Sequence, residues 1–105
     1  MTGSARSLTV LVTGAGRNIG RHVAETFALC GARVVLNARG NEDIEKAAAG
    51  IRERGGQAVA APGDVACESD VENIIGIAHD SFGTVNVLVH SATTVSYTHL
   101  RAHET

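Results

Sequence analysis

Gly14, Gly16 and Gly20 sit in the run Thr13-Gly14-Ala15-Gly16-Arg17-Asn18-Ile19-Gly20, directly after an apolar stretch and directly before a helical pattern. A strand that turns through glycines into a helix brings bare backbone N–H groups to the positive end of the helix dipole, where a phosphate binds. Glycine is required because a Cβ would block the turn or the close approach of a pyrophosphate. The spacing reads G-x-G-x-x-x-G. No Gly-Lys-Ser/Thr follows, which excludes a Walker A loop. Arg17, Arg21 and His22 fall in the opening turns of the helix, and no acid appears before Glu25. Cations there oppose the dipole, so an anion is expected to accompany them; solvated surface side chains are the plainer alternative for Arg21 and His22.

Two more positions have ligand chemistry. The second apolar run ends in Asn37-Ala38-Arg39. A dinucleotide fold that reads NAD carries Asp or Glu there, accepting from the ribose 2′-hydroxyl. Here the acid is absent and Arg39 is present. Together with Arg17, it offers two guanidiniums that could clamp a 2′-phosphate. NADP(H) is therefore expected over NAD(H). The third run is followed by Gly63-Asp64-Val65, at the carboxyl end of an expected strand, where open α/β sheets bind ligands. Read alone, Asp64 suits a turn or the start of a helix equally well.

The elements that must position these residues alternate regularly. Leu8–Val12 is a near-continuous apolar run, suited to a strand buried on both faces. From Asn18 to Cys30, Ile19, Val23, Phe27 and Cys30 recur at helical spacing, and Gly31 is a natural stop. Cys30 is expected to pack near that helix end. Arg33–Leu36 reads as a second strand. Ile44, Ala47, Ala48 and Ile51 mark a helix over 41–54, ended by Gly55-Gly56. Gln57–Ala61 is a third strand. Val71, Ile74, Ile75, Ala78 and Phe82 line one face of a helix over 69–82, and Val85–Val89 is a fourth strand. The order βαβαβαβ with short loops implies parallel strands and right-handed crossovers. The expected fold is α/β: a Rossmann-like doubly wound parallel sheet with strand order 3-2-1-4.

Composition agrees with one small globular domain. The chain has 105 residues, 44% hydrophobic, with a formal net charge of −2. No basic stripe argues for nucleic acid, and no apolar stretch reaches membrane-spanning length. The opening residues Met1-Thr2-Gly3-Ser4-Ala5-Arg6 do not form a signal peptide. Cys30 and Cys67 make no metal or redox motif and are expected to stay reduced in a cytoplasmic protein.

The string from Thr13 to Gly20 resembles the T-G-x-x-x-G-x-G cofactor motif of the short-chain dehydrogenase/reductase family, over residues 8 to about 92. Asn18 stands where that motif has its middle glycine, and Asn is the residue that best tolerates a left-handed backbone after glycine. The resemblance implies a nicotinamide dinucleotide as cofactor and a small carbonyl or alcohol as substrate. It implies that Gly14, Arg17, Asn18, Ile19 and Gly20 cradle the phosphates, and that basic residues at the positions of Arg17 and Arg39 go with NADP(H). It also implies that Asp64 and Val65 hold the adenine, and that Ala92 lines the cofactor. The family's Asn-Asn-Ala-Gly is His90-Ser91-Ala92-Thr93 here, with only Ala92 matching, so His90 and Ser91 are expected in structural or cofactor-lining roles. A homo-oligomer is expected of the parent protein.

Residues 94–105 fit neither a loop nor an amphipathic helix and read as a non-native tail, which places the expected domain at 1–93. The family's catalytic Ser, Tyr and Lys are expected to be absent. Tyr97 and Arg101 mimic the Tyr-x-x-x-Lys spacing, but Arg does not replace the Lys that lowers the Tyr pKa. His99 and His103 are two ligand types without a third. The expected function is the N-terminal part of an NAD(P)-dependent oxidoreductase, itself inactive. The alternatives are a non-catalytic nucleotide-binding module and a methyltransferase-like domain, the latter disfavoured by the missing acid after the second strand.

Overall fold

β1 (Thr9–Thr13) is buried at every position, as a central strand covered on both faces must be. The computed structural model describes residues 8–15 and 18–91, with the backbone alone at Asn18. Six further elements follow β1: α1 (Asn18–Leu29), β2 (Arg33–Leu36), α2 (Glu42–Glu53), β3 (Gln57–Ala60), α3 (Glu68–Phe82) and β4 (Val87–His90). The four strands are parallel in the order β3-β2-β1-β4, as the alternation of patterns requires. The expected 1–93 boundary, Arg17, Ala92, and the decoy residues Tyr97, His99, Arg101 and His103 lie outside the described residues.

Strand parity sorts the core into two layers. Val10, Val12, Val34, Leu36 and Ala58 face α1 and α2, where they meet Ala24, Ile44, Ala48 and Ile51. Leu11 and Val35 face the other way, toward Ile74 and Ala78 of α3. Each fully buried aliphatic side chain contributes about 1.5–3 kcal/mol, so the larger first layer carries most of the apolar stabilisation.

Helix ends are set locally. After α1, Gly31 N–H donates to the Ala28 carbonyl at 3.0 Å and Ala32 N–H to that of Phe27 at 3.1 Å. After α2, Gly55 and Gly56 make the matching pair to Arg52 and Ile51, both at 3.0 Å. These paired bonds satisfy the orphan carbonyls of the last turn and reverse the chain toward the next strand. Cys30, just past the end of α1, does not pack as expected: it is exposed.

Two boundaries differ from the sequence reading. β4 starts at Val87 rather than Val85, because Asn86 is used as a bracket. Its side-chain Oδ1 accepts from Thr9 N–H at 2.8 Å and its own N–H donates to the Thr9 carbonyl at 2.9 Å. On α3 only Ile74 and Ala78 are buried, while Val71 and Ile75 are 36% and 44% exposed. The described sheet is too narrow to cover the whole apolar face of α3.

Candidate functional site

All four strands run the same way, so their carboxyl ends share one edge of the sheet. From β1 the chain moves outward to β2 and β3, then crosses back to β4 on the far side of β1. The strand order therefore reverses at β1, and the crevice there is where open α/β sheets take ligands. Of the expected site residues among those described, Gly14, Asn18, Ile19 and Gly20 follow β1, Arg39 follows β2, and Asp64 and Val65 follow β3, all along this one edge.

The glycine turn is fixed by backbone packing. Gly14 has φ +68°, in the left-handed region, and a Cβ on it would run into the Ser91 carbonyl oxygen. A Cβ on Gly20 would run into the Gly14 carbonyl oxygen and stand 3.1 Å from Ser91 Oγ. The two glycines thus let the first turn of α1, the turn itself and the end of β4 meet without side chains between them. Ala15 N–H, within the turn, donates to the Asn37 carbonyl at 2.7 Å, tying the cradle to the end of β2. The first turn of α1 holds no acid, and Ile19 in it is 74% exposed. A first turn without acids leaves the positive end of the helix dipole uncompensated by its own side chains, as suits an anion site. Arg21 leans back along α1 to Glu25, at 3.2 Å.

At the end of β2, Asn37 is 2% exposed, and its amide donates to the carbonyls of Ala61 at 2.9 Å and Gly63 at 3.1 Å. Gly63 N–H returns a bond to the Ala38 carbonyl at 2.9 Å. This double latch joins the loop that carries Arg39 to the loop that carries Asp64. Sequence reasoning missed Asn37 as a structural residue; its signal was a polar residue continuing a buried strand. Arg39 is exposed and, among the described residues, makes no ion pair.

Asp64 is used by its own loop. Its Oδ1 accepts from Ala66 N–H at 2.9 Å, and its N–H donates to Asp70 Oδ2 at 2.9 Å. The turn role and an adenine role are compatible, since a carboxylate has two oxygens. Val65 beside it is 41% exposed. Cys67, at the start of α3, is also exposed. A hydrogen bond with Ser69 Oγ at 3.3 Å, and then the Asp70 backbone amide, hold its thiol below the ordinary cysteine value.

His90 closes the site on the β4 side. It pairs with Thr13 in the strand register, and its Nδ1 lies 2.7 Å from Thr13 Oγ1. Ser91 N–H donates to the Thr13 carbonyl at 3.1 Å.

Among the described residues no group of three His, Cys, Asp or Glu is placed to hold a metal, and no helix is long and apolar enough to cross a membrane. A shallow cleft of about 240 Å³ lies between the C-terminal ends of α1 and α2, lined by Glu25, Ala28, Leu29, Ile51 and Arg54. It sits one helix length from the glycine turn, about 18 Å for twelve residues.

Comparison with known proteins follows the same lines. The family model described as short chain dehydrogenase matches residues 8–104. An L-rhamnose 1-dehydrogenase (NAD(P)(+)) of Azotobacter vinelandii is 40% identical over 88 residues, covering 80% of this chain and 34% of the relative. An uncharacterized oxidoreductase of Bacillus subtilis is 37% identical over 87 residues, covering 83% of this chain and 34% of the relative. The chain thus spans about a third of the length of the curated relatives it matches. Among solved structures, a hydroxysteroid dehydrogenase from Escherichia coli superposes with a TM-score of 0.79 at 31% identity, covering 86% of this chain and 40% of that one. L-sorbose reductase from Gluconobacter frateurii, complexed with NADPH and L-sorbose, gives 0.78 at 33% identity, covering 83% and 34%.

Proposed function

The chain belongs to the short chain dehydrogenase family, and from that premise we propose that residues 8–91 hold NADP(H) in preference to NAD(H), as the nucleotide-binding part of an oxidoreductase. The parent reaction moves a hydride between the nicotinamide and the carbonyl or alcohol carbon of a small molecule. The relatives' names span sugar and steroid enzymes, so what they share is hydride transfer at such a carbon rather than one substrate.

The carrying observation is the end of β2. No carboxylate stands there to accept from a 2′-hydroxyl or to repel a 2′-phosphate. Asn37 is consumed inside the fold, and Arg39 is exposed at the ligand edge. In this reading the pyrophosphate lies over Gly14 to Gly20, against the acid-free first turn of α1. Arg39 and Arg17 take the 2′-phosphate. Asp64, whose Oδ1 is spent on Ala66 N–H, offers Oδ2 to the adenine amino group beside Val65, and Ala92 lines the far side. The nicotinamide supplies or accepts the hydride when bound. This chain's own groups bind and orient the phosphates, and no Tyr-x-x-x-Lys stands in its sequence to move the substrate proton.

Arg39→Asp tests the reading. A lost charge-assisted contact is worth about 1.5–3 kcal/mol, which is roughly a tenfold to hundredfold change. Titration should show NADPH weakened by about that factor and NADH changed by less than about threefold. Equal effects on the two cofactors would overturn the preference for NADP(H). The same samples should reduce no member of a panel of carbonyl compounds with NADPH.

A further inference from the structure

Asp70 reaches from α3 into the loop that carries Asp64. It stands in the first turn of the helix, and its Oδ2 accepts from Asp64 N–H at 2.9 Å. One turn further on, Ile74 is buried, so this face of α3 is anchored in the core. A Cβ on Gly63 would stand 3.2 Å from Ile74 Cδ1 and 3.3 Å from Asp70 Cβ, so the chain just before Asp64 lies directly on that face. The position of the Asp70 carboxylate is therefore set by core packing rather than by the loop it serves. Asn37 latches the same loop from the β2 side, through the Ala61 and Gly63 carbonyls.

We propose that Asp70 is a positioning residue for the adenine: it touches no ligand, but through the Asp64 amide it sets the angle at which Asp64 and Val65 are presented. The inference rests on the dinucleotide reading above and adds to it a residue that reading does not use. The other bonds of the turn are internal. The Asp64 carbonyl accepts from Cys67 N–H at 2.9 Å, and Asp64 Oδ1 accepts from Ala66 N–H at 2.9 Å. They close the turn on itself without fixing how it hangs on the fold. Among the described residues, Asp64 Oδ2 and Val65 N–H make no hydrogen bond. These are the groups left for a base, and the Asp70 contact decides where they point.

A second role for Asp70 is general. With Glu68 it is one of two acids in the first turn of α3, where negative charge complements the helix dipole whatever the loop does. That contribution belongs to stability and affects every ligand alike. The positioning role affects only the adenine end, because the glycine turn follows β1 and Arg39 follows β2, on other loops. The two roles therefore separate in a ratio of affinities for ligands that differ in the base alone.

The test uses residues 1–105 with NADPH and its analogue in which hypoxanthine replaces adenine, an exchange of the 6-amino donor for a carbonyl oxygen. A carboxylate accepts from the first and repels the second, so the unaltered chain should favour NADPH by about tenfold or more. Asp70→Ala should bring that ratio below about threefold, chiefly by weakening NADPH. Asp70→Asn keeps an acceptor oxygen for the Asp64 amide and should retain the ratio. Asp64→Ala should collapse it alone, and Asp70→Ala added to that variant should change it no further. Both ligands are titrated into one sample, so a lowered folded fraction cancels from the ratio. By linkage, a bond that orients the loop for adenine is itself strengthened when adenine binds. Hydrogen exchange at the Asp64 amide of the unaltered chain should therefore slow more with NADPH than with the analogue, which decides the matter even if a variant does not fold. An unchanged ratio in Asp70→Ala, equal weakening of both ligands, a ratio lost in Asp70→Asn, or exchange indifferent to the base would each overturn the proposal while leaving the dinucleotide reading intact. An unaltered chain that binds the two ligands equally would overturn the proposal and the adenine contact, sparing the phosphate contacts. A chain that binds neither would overturn the whole reading.

Discussion

Asn37 does more for the site than its place in the sequence suggests. It holds two carbonyls from another loop, Ala61 and Gly63, while its own carbonyl receives the Ala15 amide of the glycine turn. One residue therefore sets the spacing between the phosphate cradle, the Arg39 loop and the Asp64 loop. Asn37→Ala leaves two carbonyls without their donor. Each unmet buried group costs about 1–3 kcal/mol, so the variant should lose roughly 2–4 kcal/mol in denaturant unfolding and weaken dinucleotide binding with it. A loss below about 1 kcal/mol would mean that water replaces the amide without penalty. The sequence showed that residue 37 was no acid, which carries the proposed preference for NADP(H). It did not show the latch, because its partners lie 24 and 26 residues away and only the strand register brings them close. Gly14 and Gly20 were legible for a different reason. Their spacing is a local requirement of the turn, although what a Cβ meets there is the protein's own backbone rather than the ligand alone.

At the scale of elements, the sheet was legible because a continuous apolar run, a helix-period run and a glycine stop repeat three times in order. Strand order followed from connection rules rather than from any residue. The face of α3 was less legible. Period alone put Val71, Ile74, Ile75, Ala78 and Phe82 on one side, but periodicity cannot tell how much sheet lies underneath. Ile74 is 2% exposed and Ile75 44% exposed. These two adjacent isoleucines make a clean comparison. Ile74→Ala should cost about 2–5 kcal/mol, as large-to-small core changes do, and Ile75→Ala less than about 1 kcal/mol. Similar costs for both in chemical denaturation would show that α3 is rotated, with Ile75 also inside. The start of β4 was misjudged by two residues because Asn86 brackets Thr9 through both its side chain and its backbone. No local pattern encodes a bond across 77 positions.

For the molecule as a whole, the balance of its two layers decides how it behaves in solution. The layer under α1 and α2 is well filled, whereas among the described residues the layer under α3 holds five buried ones: Leu11, Val35, Ala61, Ile74 and Ala78. β4 is the outer strand on that side, and its Leu88 is 64% exposed while Val87 and Val89 face the filled layer. Among the described residues, no element is paired with the outer edge of β4. Unpaired backbone donors and acceptors on an apolar strand are a template for pairing with another chain. Residues 1–105 on their own should therefore self-associate as concentration rises, and light scattering should give a mass above that of one chain. Leu88→Lys places a charge on the exposed face of that strand, where it opposes stacking and edge pairing. It removes little buried area, so stability should change by less than about 1 kcal/mol. The mass from light scattering should fall toward the monomer value while the unfolding midpoint holds. A monodisperse monomer before the substitution, or an unchanged mass after it, would show that the β4 edge is not the surface through which the chain associates.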